Sequence, residues 1–473
     1  MESEQSHTSR PEPSGFWPRG IIKLIESHLD QLVIVASLLL IGLSTFLTSC
    51  IAANITLPVE AGLRPVQGGG PAAPEVEPEV DLPASALPRP QPAATVAPVE
   101  PASPPQLDLD SLMSSPDYGM QAFLYWRPEI ADRDLELIQA AGFRWVKQEI
   151  AWREIEGKGK NLWRWQNTDR IMEQVEAHDL KIIVRLGSQP AWAAPEVAFP
   201  EIGPPQELSD FYDYVFAVAD RYKGRVGAYQ IWNEPNLARE WGGRPPHPAA
   251  YTELLRVGYR AVKAADPAAI VISAGLAPTT QNNAEAMPDL DFIQGMYEAG
   301  AAAYFDALGV HAAGYKSPPE MDPKIIATTP ELNNNDSGPE ALRRVYGFRH
   351  VEDVRKLMVD NGDAAKKVVV LEFGWTVDPR PDSPYRWHAV TLEQQDKYLQ
   401  RAFAYAAENW QPWIGVMNVI YIADPQWSMA DEQTYWSIVY PGYPELNTAP
   451  AYYGLLFMEK VPPAGATALE GGD

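Results

Sequence analysis

Cysteine is all but missing from this chain: Cys50 is the only one in 473 residues. A lone thiol excludes an intramolecular disulfide, a cysteine-based zinc site and an iron–sulfur cluster. Basic charge is scarce too, with Lys+Arg 38 against Asp+Glu 62 and a net charge of -24. That balance repels a phosphate backbone and argues against a nucleic-acid partner. The 7 histidines show no His-x-x-x-His or other ligand spacing, and neither an EF-hand pattern nor a Gly-rich phosphate loop occurs. The sequence therefore implies no obligatory metal and no cofactor. No Ser/His/Asp arrangement competes as a nucleophilic site. Disorder throughout is excluded as well, because 46% of the residues are hydrophobic and 10% aromatic, enough for a sizeable core.

Proline, by contrast, is abundant at 45 and unevenly placed. Residues 1–30 read as a polar cytoplasmic tail carrying Arg10, Arg19 and Lys23. Residues 31–50 form an apolar segment, and no charge interrupts 31–59. Such a stretch suits a membrane-spanning helix, which needs about 20 apolar residues. Two readings compete. A retained signal anchor fits the long tail and the Lys/Arg ahead of the span; alternatively, Leu47-Thr48-Ser49-Cys50 resembles a bacterial lipobox, in which Cys50 is lipidated and becomes the mature N-terminus. Both attach the protein to the cell membrane with the remainder extracytoplasmic. Residues 51–110 are rich in Pro, Ala and Glu without helical or strand period, and are expected to be a semi-rigid linker. A catalytic domain of roughly 350 residues is left over 111–460, followed by a flexible tail at 461–473.

Within that domain short β-rich runs alternate with amphipathic helical patterns. The runs are Gly119–Leu124, Arg144–Ile150, Lys181–Leu186, Ala228–Trp232, Ala269–Ala274, Ala307–Val310, Lys367–Phe373 and Ile414–Ile422. Ile182-Ile183-Val184 and Val368-Val369-Val370-Leu371 are continuous apolar runs, as strands covered on both faces require. Between them, stripes such as Ile171, Val175 and His178 or Leu399, Phe403 and Trp410 predict helices, and Thr391-Leu392-Glu393-Gln394 has capping-box spacing. The alternation predicts an α/β fold, a (β/α)8 TIM barrel, with reactive residues just past the C-terminal ends of strands.

Two glutamates meet that condition: Glu234 in Ile231-Trp232-Asn233-Glu234-Pro235 and Glu372 in Val370-Leu371-Glu372-Phe373-Gly374. A carboxyl after an apolar strand is costly unless it is paired or functional. Opposed carboxyls suit acetal hydrolysis, one protonating the departing oxygen while the other attacks the anomeric carbon. On this reading Glu234 is held protonated by its surroundings, Glu372 stays ionised, and the Asn233 amide hydrogen-bonds the sugar 2-hydroxyl.

Trp232-Asn233-Glu234-Pro235 and Leu371-Glu372-Phe373-Gly374 resemble the strand-four and strand-seven signatures of clan A glycoside hydrolases, families 39 and 5 above all. The resemblance runs from about Tyr118 to Lys460 and implies a retaining glycosidase with Glu234 as acid/base and Glu372 as nucleophile. It departs at strand two, where clan members commonly carry arginine and this chain offers Lys147, with Arg185 on strand three as compensation. At strand six a usual His-x-Tyr becomes His311-Ala312-Ala313-Gly314-Tyr315, which makes His311 and Tyr315 candidates. Trp126, Trp152, Trp192, Trp241, Trp375 and Trp427 fall near strand ends, where indole faces stack on sugar rings; Trp375 and Trp192 lead, with Trp241 and Trp427 behind them. The long polar loop from Pro318 to Pro339 reads as a lid or a disordered insertion.

The sequence thus points to a membrane-tethered enzyme acting on β-linked oligo- or polysaccharides, with no obligatory protein partner. Alternatives are a transglycosylase that remodels surface glycan and a non-catalytic sugar-binding barrel.

Overall fold

The apolar runs pair in chain order and the last closes on the first, giving a closed parallel barrel of eight strands. They are β1 (Asp117–Gln121), β2 (Trp145–Ala151), β3 (Lys181–Gly187), β4 (Ala228–Ile231), β5 (Ile270–Ile272), β6 (Ala307–Ala313), β7 (Lys367–Gly374) and β8 (Ile414–Val419). This computed structural model describes residues 107–199 and 201–462. The tail at 1–30, the segment 31–50 with Cys50, and nearly all of the linker and C-terminal tail lie outside those residues. Among the described residues, no helix is long and apolar enough to cross a membrane.

Helices follow most strands and bury one stripe each against the outer face of the barrel. Gln166–Ala177 turns Ile171, Met172 and Val175 inward. In Leu392–Asn409 the expected capping box is present, with Thr391 and Gln394 bonded reciprocally, and Leu399 and Phe403 are buried. The Pro318–Pro339 loop contains a helix at Pro323–Thr328. Its Asn333 side chain is buried and donates to the Ile326 and Ala327 carbonyls.

The period-2 alternation of strands decides what enters the lumen. Along β2, Val146 and Ile150 join the outer core, whereas Trp145 packs in the inner cluster. Lys147 and Glu149 share that inward face above Trp145. β7 breaks the alternation. Val310 pairs with Val370 but His311 pairs with Glu372, a register shift that leaves one extra residue in β7. Leu371 packs inside the barrel and Phe373 outside, so the bulge turns Glu372 inward directly after Leu371.

At the opposite end of the barrel, Leu109–Leu112 forms a short helix where the linker was expected to run to 110. Leu109 and Met113 pack against Trp145, Ile183, Val369 and Val416, stoppering the lumen. Lys367 at the foot of β7 meets Asp110 at 2.5 Å. Because Trp145 is 1% exposed at the centre of this plug, Trp145→Ala is expected to destabilise the fold by about 3–5 kcal/mol, as measured by urea unfolding.

Candidate active site

Beyond the C-terminal ends of the strands lies a cavity of about 630 Å³ whose walls include Asn233, Glu234, His311, Tyr315, Glu372 and Trp427. Glu372 Oε1 accepts a hydrogen bond from Lys147 Nζ at 2.8 Å, and the same ammonium donates to Gln121 Oε1 at 2.9 Å. Lys147, fully buried, therefore contacts Glu372 from the strand-two position where arginine was expected. Burial pushes the Glu372 carboxyl up, but the Lys147 charge and hydrogen bond together with the charges of His311 and Arg185 outweigh it and hold the group at about 2. Burial in turn pulls the Lys147 ammonium below its usual value, partly offset by Glu372.

His311 ties the two carboxylates together. Its Nδ1 lies 2.9 Å from Glu234 Oε1 and 3.9 Å from Glu372 Oε2. The ring packs on Gly275, where an added Cβ would come within 2.3 Å of Nε2. Nε2 is buried without a hydrogen-bond partner, and Nδ1 donates to Glu234. On its other side Glu234 Oε2 accepts from Arg239 at 3.1 Å. Burial raises the Glu234 carboxyl, yet the His311 hydrogen bond and charge pull it below its ordinary value. The expectation that Glu234 is held protonated is thus corrected: its partners stabilise the carboxylate.

The backbone that presents Glu234 is strained. Trp232 and Glu234 adopt φ of 70° and 41°, and Ser188 and Tyr315 at neighbouring strand ends are also left-handed. Such residues cost about 1–3 kcal/mol each and persist where surroundings over-determine them. Here the Glu234 amide donates to the Gly275 carbonyl at 3.0 Å and the Trp232 indole to the Glu240 carbonyl at 2.9 Å. Fully buried Asn236 clamps the following loop through the Ala277 and Met287 carbonyls.

The remaining predicted residues divide. Tyr315, despite its displacement in sequence, reaches the cavity wall and donates to the Pro278 carbonyl at 3.2 Å. Arg185 also lines the cavity, but its guanidinium pairs with Glu149 at 2.5 Å and acts on Glu372 only through its field. Trp427 stands in the wall, edge-on to Phe123 at 4.8 Å. Trp375 does not: it is fully buried, donates to the Ser317 carbonyl, and a Cβ on Gly314 would fall 1.8 Å from its ring. Trp192 packs edge-on to Trp152, with its indole bonded to the Glu156 carbonyl, and Trp241 packs against Trp232 and Tyr251. Trp375 and Trp241 are buried and Trp192 is half-buried, and none of the three lines the cavity. Sequence reasoning missed Arg239, Glu240, Tyr385 and Tyr421 in the wall. Only Arg239-Glu240 carried a signal, a charged pair on the same loop as Glu234. Burial and the Glu234 charge push the Glu240 carboxyl up to about 7. Among the described residues, no group of His, Cys, Asp or Glu side chains is arranged to hold a metal ion.

A family model described as beta-galactosidase, Glyco_hydro_42, matches residues 122–210, a stretch through β2 and β3 that includes neither Glu234 nor Glu372. No curated protein matches the chain. Among solved structures, a family 39 glycoside hydrolase from the gut symbiont Bacteroides cellulosilyticus WH2 is similar with a TM-score of 0.54 at 17% identity, covering 73% of this chain and 64% of that one. This chain therefore spans just under two thirds of that relative's length. A GH10 endoxylanase from a sugarcane soil metagenome reaches 0.48 at 17% identity, over 72% of this chain and 97% of its own. The beta-galactosidase of the psychrophilic Marinomonas ef1 reaches 0.46 at 12%, over 72% and 58%. The matched family and these structures are clan A glycoside hydrolases, the group that the two glutamate motifs resemble.

Because the Glu372 value is depressed from 4.5, the stability that its ionised form contributes is complete above about 4.5 and is lost as pH falls toward about 2. Replacing Lys147 by Met removes the main opposing charge and should move the onset of acid destabilisation up by about 1–3 pH units, as read from thermal unfolding across that range. An unchanged onset would mean that Lys147 is not the counter-charge.

Proposed function

We propose that this barrel of the clan A glycoside hydrolase type cleaves β-linked oligo- or polysaccharides with retention, through Glu372 as nucleophile and Glu234 as acid/base. One observation carries the reading: a single His311 nitrogen stands 2.9 Å from one carboxylate and 3.9 Å from the other. Laid end to end, those distances bound the separation of the two oxygens at about 7 Å. Inverting pairs stand roughly 6.5–9.5 Å apart and retaining pairs roughly 5–5.5 Å, so this upper bound accommodates double displacement and meets the inverting range only at its lower edge.

The electrostatics fit these roles. Glu372, paired with Lys147, is ionised at any working pH and attacks the anomeric carbon. Glu234 takes up its proton as the sugar enters, because a filled cavity excludes water and deepens the burial that favours the neutral acid. It then protonates the departing oxygen. In the second step it accepts a proton from the water that releases the sugar from Glu372. Asn233, beside it in the wall, takes the 2-hydroxyl in this reading.

Incubating the chain with a panel of 2-deoxy-2-fluoroglycosides should give an adduct on Glu372 by peptide mass spectrometry. Glu234→Gln should lower kcat/KM on unactivated glycosides by about 10²–10⁴ and spare substrates with good leaving groups. An adduct elsewhere, or an unaffected Glu234→Gln enzyme, would sink the assignment.

The N-terminal segment enters the proposal as a membrane tether, supported by the uncharged stretch 31–59 and by Leu47-Thr48-Ser49-Cys50. In a bacterial host the full chain should sediment with membranes and resist a carbonate wash. If lipidation is the anchor, the chain should take up a fatty-acid label that Cys50→Ser abolishes; if the span is retained, neither form should be labelled.

A further inference from the structure

The groove does not end at Glu372. Over the ends of β1, β2 and β3 lies a second hollow of about 300 Å³, walled by Tyr125, Trp126, Arg153, Glu154 and Asp424. It shares Gln121, Phe123 and Arg185 with the first cavity. Lys147, whose ammonium holds Glu372, also lines it, whereas Glu234 lines the first cavity.

Trp126 dominates this hollow. At 48% exposure it is the most exposed tryptophan among the described residues. An exposed indole is open to a partner that covers the ring. Nor is the ring loose: its N–H donates to Asp424 Oδ2 at 2.9 Å, and Asp424 Oδ1 accepts from the Gln426 amide at 2.8 Å. The side chain is thereby pinned between the loops after β1 and β8. Phe123 and Trp427 pack edge to face at 4.8 Å where the two hollows adjoin. A held aromatic face with carboxylates and a guanidinium around it matches the chemistry of a pyranose, whose C–H face stacks and whose hydroxyls seek charged partners.

Direction follows from the roles of the glutamates. The leaving group departs beside the acid Glu234, toward Arg239, Pro278 and Tyr315. The second hollow begins behind Lys147, on the nucleophile's side. We propose that it is a second sugar subsite on the glycone side, with Trp126 as its platform. The enzyme then takes chains with at least two sugars ahead of the scissile bond, and single terminal residues are poor substrates. This inference rests on the hydrolase reading above.

The test compares 4-nitrophenyl β-glycosides of glucose, galactose, xylose and mannose with those of the matching β-1,4-linked disaccharides, using the full chain. For at least one sugar the disaccharide glycoside should exceed its monosaccharide counterpart in kcat/KM by about tenfold or more. Trp126→Ala should bring that ratio close to one through KM, and Trp126→Phe, which keeps a ring, should retain part of it. Equal kcat/KM in the unaltered chain, or a ratio that survives Trp126→Ala, overturns the subsite while leaving the hydrolase reading intact. No turnover of any of the glycosides counts against the hydrolase reading itself, and the subsite falls with it.

Discussion

A carboxylate inside a protein is tolerable only beside its counter-charge, and the contact between Lys147 and Glu372 is where this barrel meets that condition. Most of the surrounding architecture can be read as serving the pair. β2 must alternate so that Lys147 faces the lumen directly above Trp145. β7 must carry an extra residue so that Glu372 faces it too. Gln121 at the end of β1 accepts a second hydrogen bond from the ammonium and fixes its direction. Nearby, Gly119 lacks a side chain because Asn418 fills the space, a Cβ there falling 2.2 Å from its amide oxygen.

The second glutamate is governed differently. Glu372 is held by a full opposite charge, whereas Glu234 is held by one histidine contact and one exposed arginine. In the proposed mechanism Glu234 gains and loses a proton, and a looser grip suits that role. The rigidity lost in the electrostatics is restored by the backbone. Two left-handed residues, the Gly275 carbonyl and the buried Asn236 leave the Trp232–Asn236 segment little freedom. Strain here has a local purpose, since it brings Glu234 over the lumen to the side of His311.

How much of this was legible in the sequence depends on the physics behind each feature. The strands were legible because continuous apolar runs such as Val368-Val369-Val370-Leu371 leave few other solutions, and the Thr391 cap was legible because its partners are local. Strand ends slipped by a few residues: β1 begins at Asp117, where a predicted start at Gly119 missed the buried aspartate. The bulge was invisible, because alternation from Val370 sends Glu372 inward only if Leu371 were to point outward, and nothing in the composition marks that change. Tryptophans misled most. Trp375 and Trp192 have the same chemistry as Trp126, and only packing distinguishes a ring closed over Gly314 from one left open to water. The ionised state of Glu234 was equally hidden, being set by His311 and Arg239 through contacts that the chain makes only when folded.

The short helix that stoppers the barrel has a bearing on access. Leu107, the first residue described, lies with Lys367 and Pro412 at the feet of the strands, at the far end of the lumen from both glutamates. Everything upstream is therefore joined to the barrel at its closed end. The open end that carries both glutamates stands clear of that junction. The same polarity makes residues just before Leu107 a natural handle, where a surface, a bead or a fused partner can be attached without standing in the substrate's way.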